Sequence, residues 1–169
     1  MPEAIDFVLA SEPAEVVRRF RARLATVGWP VSDSDPGVRL AAANAIPKPV
    51  RAKLTEELRL LVLPELWLAS LGNALTGEPQ LVLSAVPDAE LVAVHTAVHD
   101  VLAGQVRGSV ARYLPGQWVP HCPLTTELTH AQTGRAMSNL GAVRPLRAQV
   151  QAIGITDTRT GQFTVLRSR

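Results

Sequence analysis

The sequence predicts an α+β protein of two lobes, with two mainly antiparallel sheets lining a central groove and helices packed outside. Three observations lead there. Short β-prone runs and amphipathic helical stretches follow one another without the regular strand-helix-strand alternation that builds a parallel sheet. One skeleton, proline-variable-apolar-variable-leucine, occurs twice, at Pro36-Gly37-Val38-Arg39-Leu40 and at Pro120-His121-Cys122-Pro123-Leu124, each time ahead of a stretch able to form a helix. The chain of 169 residues, 47% hydrophobic and 19% charged, can bury one core shared by two half-domains.

Taken in order, Ile5 to Ala10 is a short β-prone run, and Ser11-Glu12-Pro13 then starts a helix, proline costing nothing in its first turn. Val16, Phe20 and Leu24 recur at helical spacing, Arg18, Arg19, Arg21 and Arg23 spread over the other faces, and Gly28 closes the segment. An arginine run on a helix is ordinarily a solvated face, with an RNA-contacting surface as the sharper alternative. Ser32 to Gly37 is a polar turn, and Val38 to Ile46 the first motif strand, turning Gly37, Arg39 and Ala41 toward the groove. Val50, Leu54, Leu58 and Leu61 mark a second helix. Leu66 to Leu71 and Gln80 to Val86 read as strands around the turn Thr76-Gly77-Glu78-Pro79. Asp88 is a plausible cap for a third helix reaching Gly104, with Leu91, Val94, Val98 and Leu102 inward. Gly104 to Gln117 is a strand or loop that delivers the second motif; Thr129 caps a fourth helix ending at Gly141; Gln149 to Thr156 and Gln162 to Leu166 make a hairpin.

The candidate chemistry centres on Trp118-Val119-Pro120-His121-Cys122-Pro123-Leu124. Proline fixes its own φ and extends the residue before it, so His121 is presented at the lip of a sheet. Strand alternation puts His121, Pro123 and Thr125 on one face and Cys122 and Leu124 on the buried one. In the earlier copy Arg39 projects a permanent cation into the groove opposite His121, and Gly37 beside it leaves room for a ligand; the bland alternative is a salt bridge from Arg39 to Asp33 or Asp35. His95 and His99 stand four apart on the third helix, a metal-pair spacing, but Thr96 occupies the glutamate place of the zinc-protease phrase and no third ligand is apparent. His95 falls close to the apolar centre of the helix and reads as a core or semi-buried histidine, not a ligand, and neither metal nor cofactor is expected.

The Trp-x-Pro-His-x-x-Leu phrase and the order of elements resemble the two-histidine (2H) phosphoesterase superfamily, the LigT-like or 2′,5′-RNA ligase-like proteins and cyclic phosphodiesterases. That resemblance implies one domain, residues 1–169, of two intertwined pseudo-symmetric lobes, each carrying a His-x-Thr/Ser-x motif on the cleft. It implies that one histidine acts as general base and the other as general acid, with the hydroxyls holding phosphate and no metal required. This chain departs from the pattern, having Gly37 and Arg39 at the His and Thr/Ser places of the first copy and Pro123 at the Thr/Ser place of the second. The expectation is therefore a divergent member lacking standard two-histidine catalysis, which binds a nucleotide, RNA end or small phosphate ester through Arg39, His121 and Thr125. An active metal-independent phosphodiesterase using His121, and a non-catalytic interaction domain, are the alternatives.

Composition narrows the classes. A net charge of +2 permits phosphate contact but falls short of the basic stripe of a dedicated nucleic-acid binder. Lys48 and Lys53 are the only lysines. Cys122 is the single cysteine, so no internal disulfide forms, and no apolar run reaches membrane-spanning length; a cytoplasmic protein is expected.

Overall fold

The structure, a computed structural model, describes residues 2–169. Its strands are β1 (Glu3–Leu9), β2 (Gly37–Ala43), β3 (Glu65–Asn73), β4 (Leu81–Ala85), β5 (His121–Pro123), β6 (Leu146–Asp157) and β7 (Phe163–Ser168), and its α-helices α1 (Ser11–Thr26), α2 (Lys48–Arg59), α3 (Ala89–Leu102) and α4 (His130–Leu140). All strand pairings are antiparallel. The two expected sheets are joined through β6: the order is β2-β1-β6-β3-β4-β5, with β7 also on β6. Residues 146–149 of β6 pair with β3, and residues 150–157 with β1.

Contrary to the sequence reading, strands and helices do alternate, as two β-α-β-α-β units, β1-α1-β2-α2-β3 and β4-α3-β5-α4-β6, whose strands nonetheless pair antiparallel and which exchange their last strands: β3 joins β4, and β6 joins β1. The exchange makes the lobes intertwined. It also puts the motif strands β2 and β5 at opposite ends of the path, and the ends curl back into contact. One apolar cluster runs through both halves, from Ile5, Phe7 and Leu40 to Leu83, Leu124 and Ile153.

Local chemistry explains several element ends. Asp88 accepts from the Leu91 N–H at 2.9 Å and caps α3 as its sequence predicts. Thr129 and Gln132 form a reciprocal capping box on α4, and Gly141 ends that helix with φ 67°, a conformation glycine adopts without steric cost. The strands β3 and β6 run longer than their apolar runs suggest, because pairing partners on either side extend them.

Two further sequence expectations are corrected here. The buried face of α1 is Ala14, Val17, Arg21 and Leu24 instead of Val16, Phe20 and Leu24, which moves Arg21 from an outer face to the interior, 6% exposed. In β2 the register slips opposite Ile5 and Asp6, so that Leu40 is an extra residue and Ala41 falls in the core. A bulge of this kind reverses the alternation beyond it, and only Gly37 and Arg39 of the three expected residues face the groove.

Candidate functional site

A cavity of about 330 Å³ opens between the motif strands. It brings together Gly37 and Arg39 from β2, Asp6 from β1, His121 and Pro123 from β5, Thr125 just beyond, Arg112 and Tyr113 from the preceding loop, and Phe163 from β7. The residues singled out in the two motif copies thus share one cleft.

The Trp-x-Pro-His phrase sets His121 in place by a sequence of backbone ties. Trp118 donates its indole N–H to the Arg39 carbonyl at 2.9 Å, which fastens the phrase to β2. Its ring lies flat on His95, with centroids 3.9 Å apart and planes 1° from parallel. The Pro120 carbonyl accepts from the Ala85 N–H, and His121 then pairs with Ser84 on β4. His121 Nδ1 lies 2.8 Å from the Val119 carbonyl. Since a carbonyl only accepts, Nδ1 carries the proton, and the neutral ring keeps Nε2 as its free lone pair. Burial pushes the His121 pKa below its ordinary value; the charges of Arg112 and Arg39 act the same way, and the Val119 bond against them.

Arg39 has a partner that sequence reasoning missed. Asp6, its cross-strand neighbour on β1, takes Nε at 2.8 Å and Nη2 at 3.0 Å in a bidentate pair. The expected salt bridge exists, but to Asp6; Asp35 instead faces Arg18 at 3.7 Å, and neither Asp33 nor Asp35 is ion-paired to Arg39. The reason is register: β1 and β2 are adjacent strands, and Asp6 and Arg39 stand opposite each other on the groove face. Burial works against the Arg39 charge, yet the Asp6 bond and charge, with Tyr113, outweigh it and raise its pKa. The cation is therefore largely neutralised locally.

Gly37 also departs from expectation. A Cβ built there would overlap the Phe7 carbonyl oxygen and lie 3.0 Å from its carbon. The missing side chain leaves no vacant room for a ligand, because the β1 backbone occupies that space; the cavity lies beside it. Cys122 is fully buried as expected, and burial pushes its thiol pKa up against the opposing influence of the Arg21 charge and the Gly37 backbone.

Arg21 reaches the second motif directly. Its Nε and Nη2 donate to the Pro123 carbonyl at 3.2 and 2.8 Å, and Nη1 to the Ser34 carbonyl. It makes no ion pair among the described residues. Burial lowers its pKa first of all, partly offset by Cys122, Asp33 and Asp35. Its signal was available, since residue 21 lies four after Val17 and three before Leu24 on one helical face. Thr125 lines the cavity but is 1% exposed, and its Oγ1 accepts from the Leu81 N–H at 2.9 Å. Its hydroxyl proton remains as a donor.

On α3, His95 is buried and His99 half-buried. His95 Nε2 lies 2.8 Å from the Tyr113 carbonyl and His99 Nε2 3.1 Å from that of Leu40, so both rings use these nitrogens as donors to the backbone around the cleft. Burial takes the His95 pKa down to about 4. Arg112 and Tyr113 had no sequence signal beyond lying in a turn-rich segment, and Phe163 none beyond its place in the expected hairpin strand.

This is a LigT-like fold, two antiparallel half-sheets meeting at a cleft with helices outside. The Escherichia coli protein LigT, solved in apo form, is similar with a TM-score of 0.63 and 16% identity, over 99% of this chain and 95% of that one. No protein-family model matches the sequence, and no curated protein matches it. No helix among the described residues is long and apolar enough to cross a membrane.

Proposed function

We propose that this chain is a divergent 2H phosphoesterase-like protein that binds a phosphate ester, such as a nucleotide or RNA end, in the cleft and lacks two-histidine catalysis. The observation that carries the reading is Gly37: on this backbone a side chain would run into the Phe7 carbonyl, so the place the family gives its second imidazole cannot hold one. His95 and His99 do not substitute, as both are committed to backbone carbonyls. The retained half of the machinery suits binding. His121 offers Nε2 to the cavity, Thr125 a hydroxyl proton, and the Arg39–Asp6 pair a fixed polar wall. A phosphate at Nε2 favours the imidazolium and gains a charge-assisted hydrogen bond. The protein acts without a metal in this reading, in the cytoplasm.

The test pairs turnover with binding. Incubated with 2′,3′-cyclic nucleotides, the protein should give no enzyme-like hydrolysis, while adenosine 3′-monophosphate should bind and raise the His121 pKa in an NMR titration. Absence of both would favour a non-catalytic interaction domain. A second reading, a phosphodiesterase using His121 alone, is favoured by the neutral ring with its free Nε2 lone pair. A single general base supplies only about 10²–10⁴-fold in rate. Hydrolysis abolished by His121→Ala would establish it.

A further inference from the structure

The charges lining the cleft do not contribute equally. Asp6 and Arg39 cancel in their bidentate pair, and Asp35 faces Arg18. Arg112, half-buried in the loop ahead of the second motif, lines the same cavity and makes no ion pair among the described residues. Its guanidinium is nevertheless held. The carbon lies 5.0 Å from the centre of the Tyr113 ring, and Nη1 rests on the β3–β4 turn, 2.9 Å from where a Gly77 Cβ would stand. A Cβ at residue 77 would displace it, so glycine is what lets the planar group lie against that turn. A cation stacked on an aromatic ring and pressed on backbone has lost much of its rotamer freedom before any ligand arrives.

We propose that Arg112 is the cation that clamps the ligand's phosphate, the anion lying between its guanidinium and Nε2 of His121, while Arg39 serves as a structural partner of Asp6. This rests on the reading of the cleft as a phosphate-ester site and adds the group that supplies its net positive charge. The fork of a guanidinium can grip two phosphate oxygens at once, leaving others for His121 and the Thr125 hydroxyl. Arg112 also heads the charges that lower the His121 pKa in the free protein, which places it within electrostatic reach of the ring.

Inorganic phosphate and adenosine 3′-monophosphate are the probes, with His121 followed by NMR through pH 5 to 8 in the parent, Arg112→Gln and Arg112→Met, the latter keeping an aliphatic stem against Tyr113. In the parent, both probes should raise the His121 pKa. In either variant the ligand-free His121 pKa should rise, because a nearby cation is gone, and affinity for both probes should fall by about tenfold or more. Parent-like affinity in the two variants would overturn the role of Arg112 and leave the cleft reading standing. No binding to the parent would overturn both.

Discussion

Lowering the pH should destabilise this protein through a single buried ring. His95 is 4% exposed, stacked on Trp118, and bound through Nε2 to the Tyr113 carbonyl. Burial first, and His99 after it, lower its pKa from 6.5 to about 4, against the hydrogen bond to Tyr113. Between those values the unfolded chain binds a proton at residue 95 that the folded chain does not. Stability therefore rises with pH in this window: the contribution is fully present above about pH 6.5 and is lost as pH falls toward 4. At about 1.4 kcal/mol per pH unit, the whole fall amounts to about 3 kcal/mol, a large part of the roughly 5–15 kcal/mol of a typical domain. Urea unfolding at pH 7.5, 6.5, 5.5 and 4.5 measures it. Other ionisable groups add to the raw pH dependence, so the decisive quantity is the difference between parent and His95→Gln, which carries no titrating ring. The variant should lose stability less steeply over this range. Parallel curves would mean that His95 is protonated in the folded state at near its ordinary pH, and the argument from burial would fail. Because Trp118 both stacks on His95 and holds the Arg39 carbonyl, acid should also loosen the cleft, read as a change in Trp fluorescence before global unfolding.

Further outcomes follow from single contacts. Gly37→Ala forces a Cβ into the Phe7 carbonyl and should cost about 1–3 kcal/mol or more in urea unfolding, and Gly37→His should not restore cyclic-phosphate hydrolysis. Arg39→Gln strands the half-buried Asp6 carboxylate and should cost about 1–3 kcal/mol, much of it recovered by the double variant with Asp6→Asn. Arg21→Met, leaving the Pro123 and Ser34 carbonyls without their donor, should lower the melting temperature and disturb the His121 NMR signal through Pro123. Thr125→Val removes the acceptor for the Leu81 N–H and should destabilise by about 1–3 kcal/mol, measured in the same denaturant series.

Periodicity and capping are local properties, and they were legible in the chain. Asp88 and Thr129 cap their helices because the acceptor and the N–H it serves lie within three residues of each other. The repeated proline-to-leucine skeleton marks the two strands that meet at the cleft, since both copies present the same alternation of buried and groove-facing positions before either strand finds a partner. Register is not local. Nothing near Arg39 in the chain announces Asp6, thirty-three residues away, and the slip opposite Ile5 and Asp6 that returns Ala41 to the core arises only when β1 lies against β2. Gly37 shows the same limit: a missing side chain reads as free space in sequence, whereas its neighbour across the sheet has filled that space with a carbonyl. Arg21 was half legible, its helical position pointing inward and its charge arguing outward; the unpaired carbonyls of Pro123 and Ser34, brought together by the fold, decided for burial. Helix faces and caps depend on neighbours a turn away, which the sequence contains, while the charge balance of the cleft depends on which strands lie side by side, which only the assembled sheet determines.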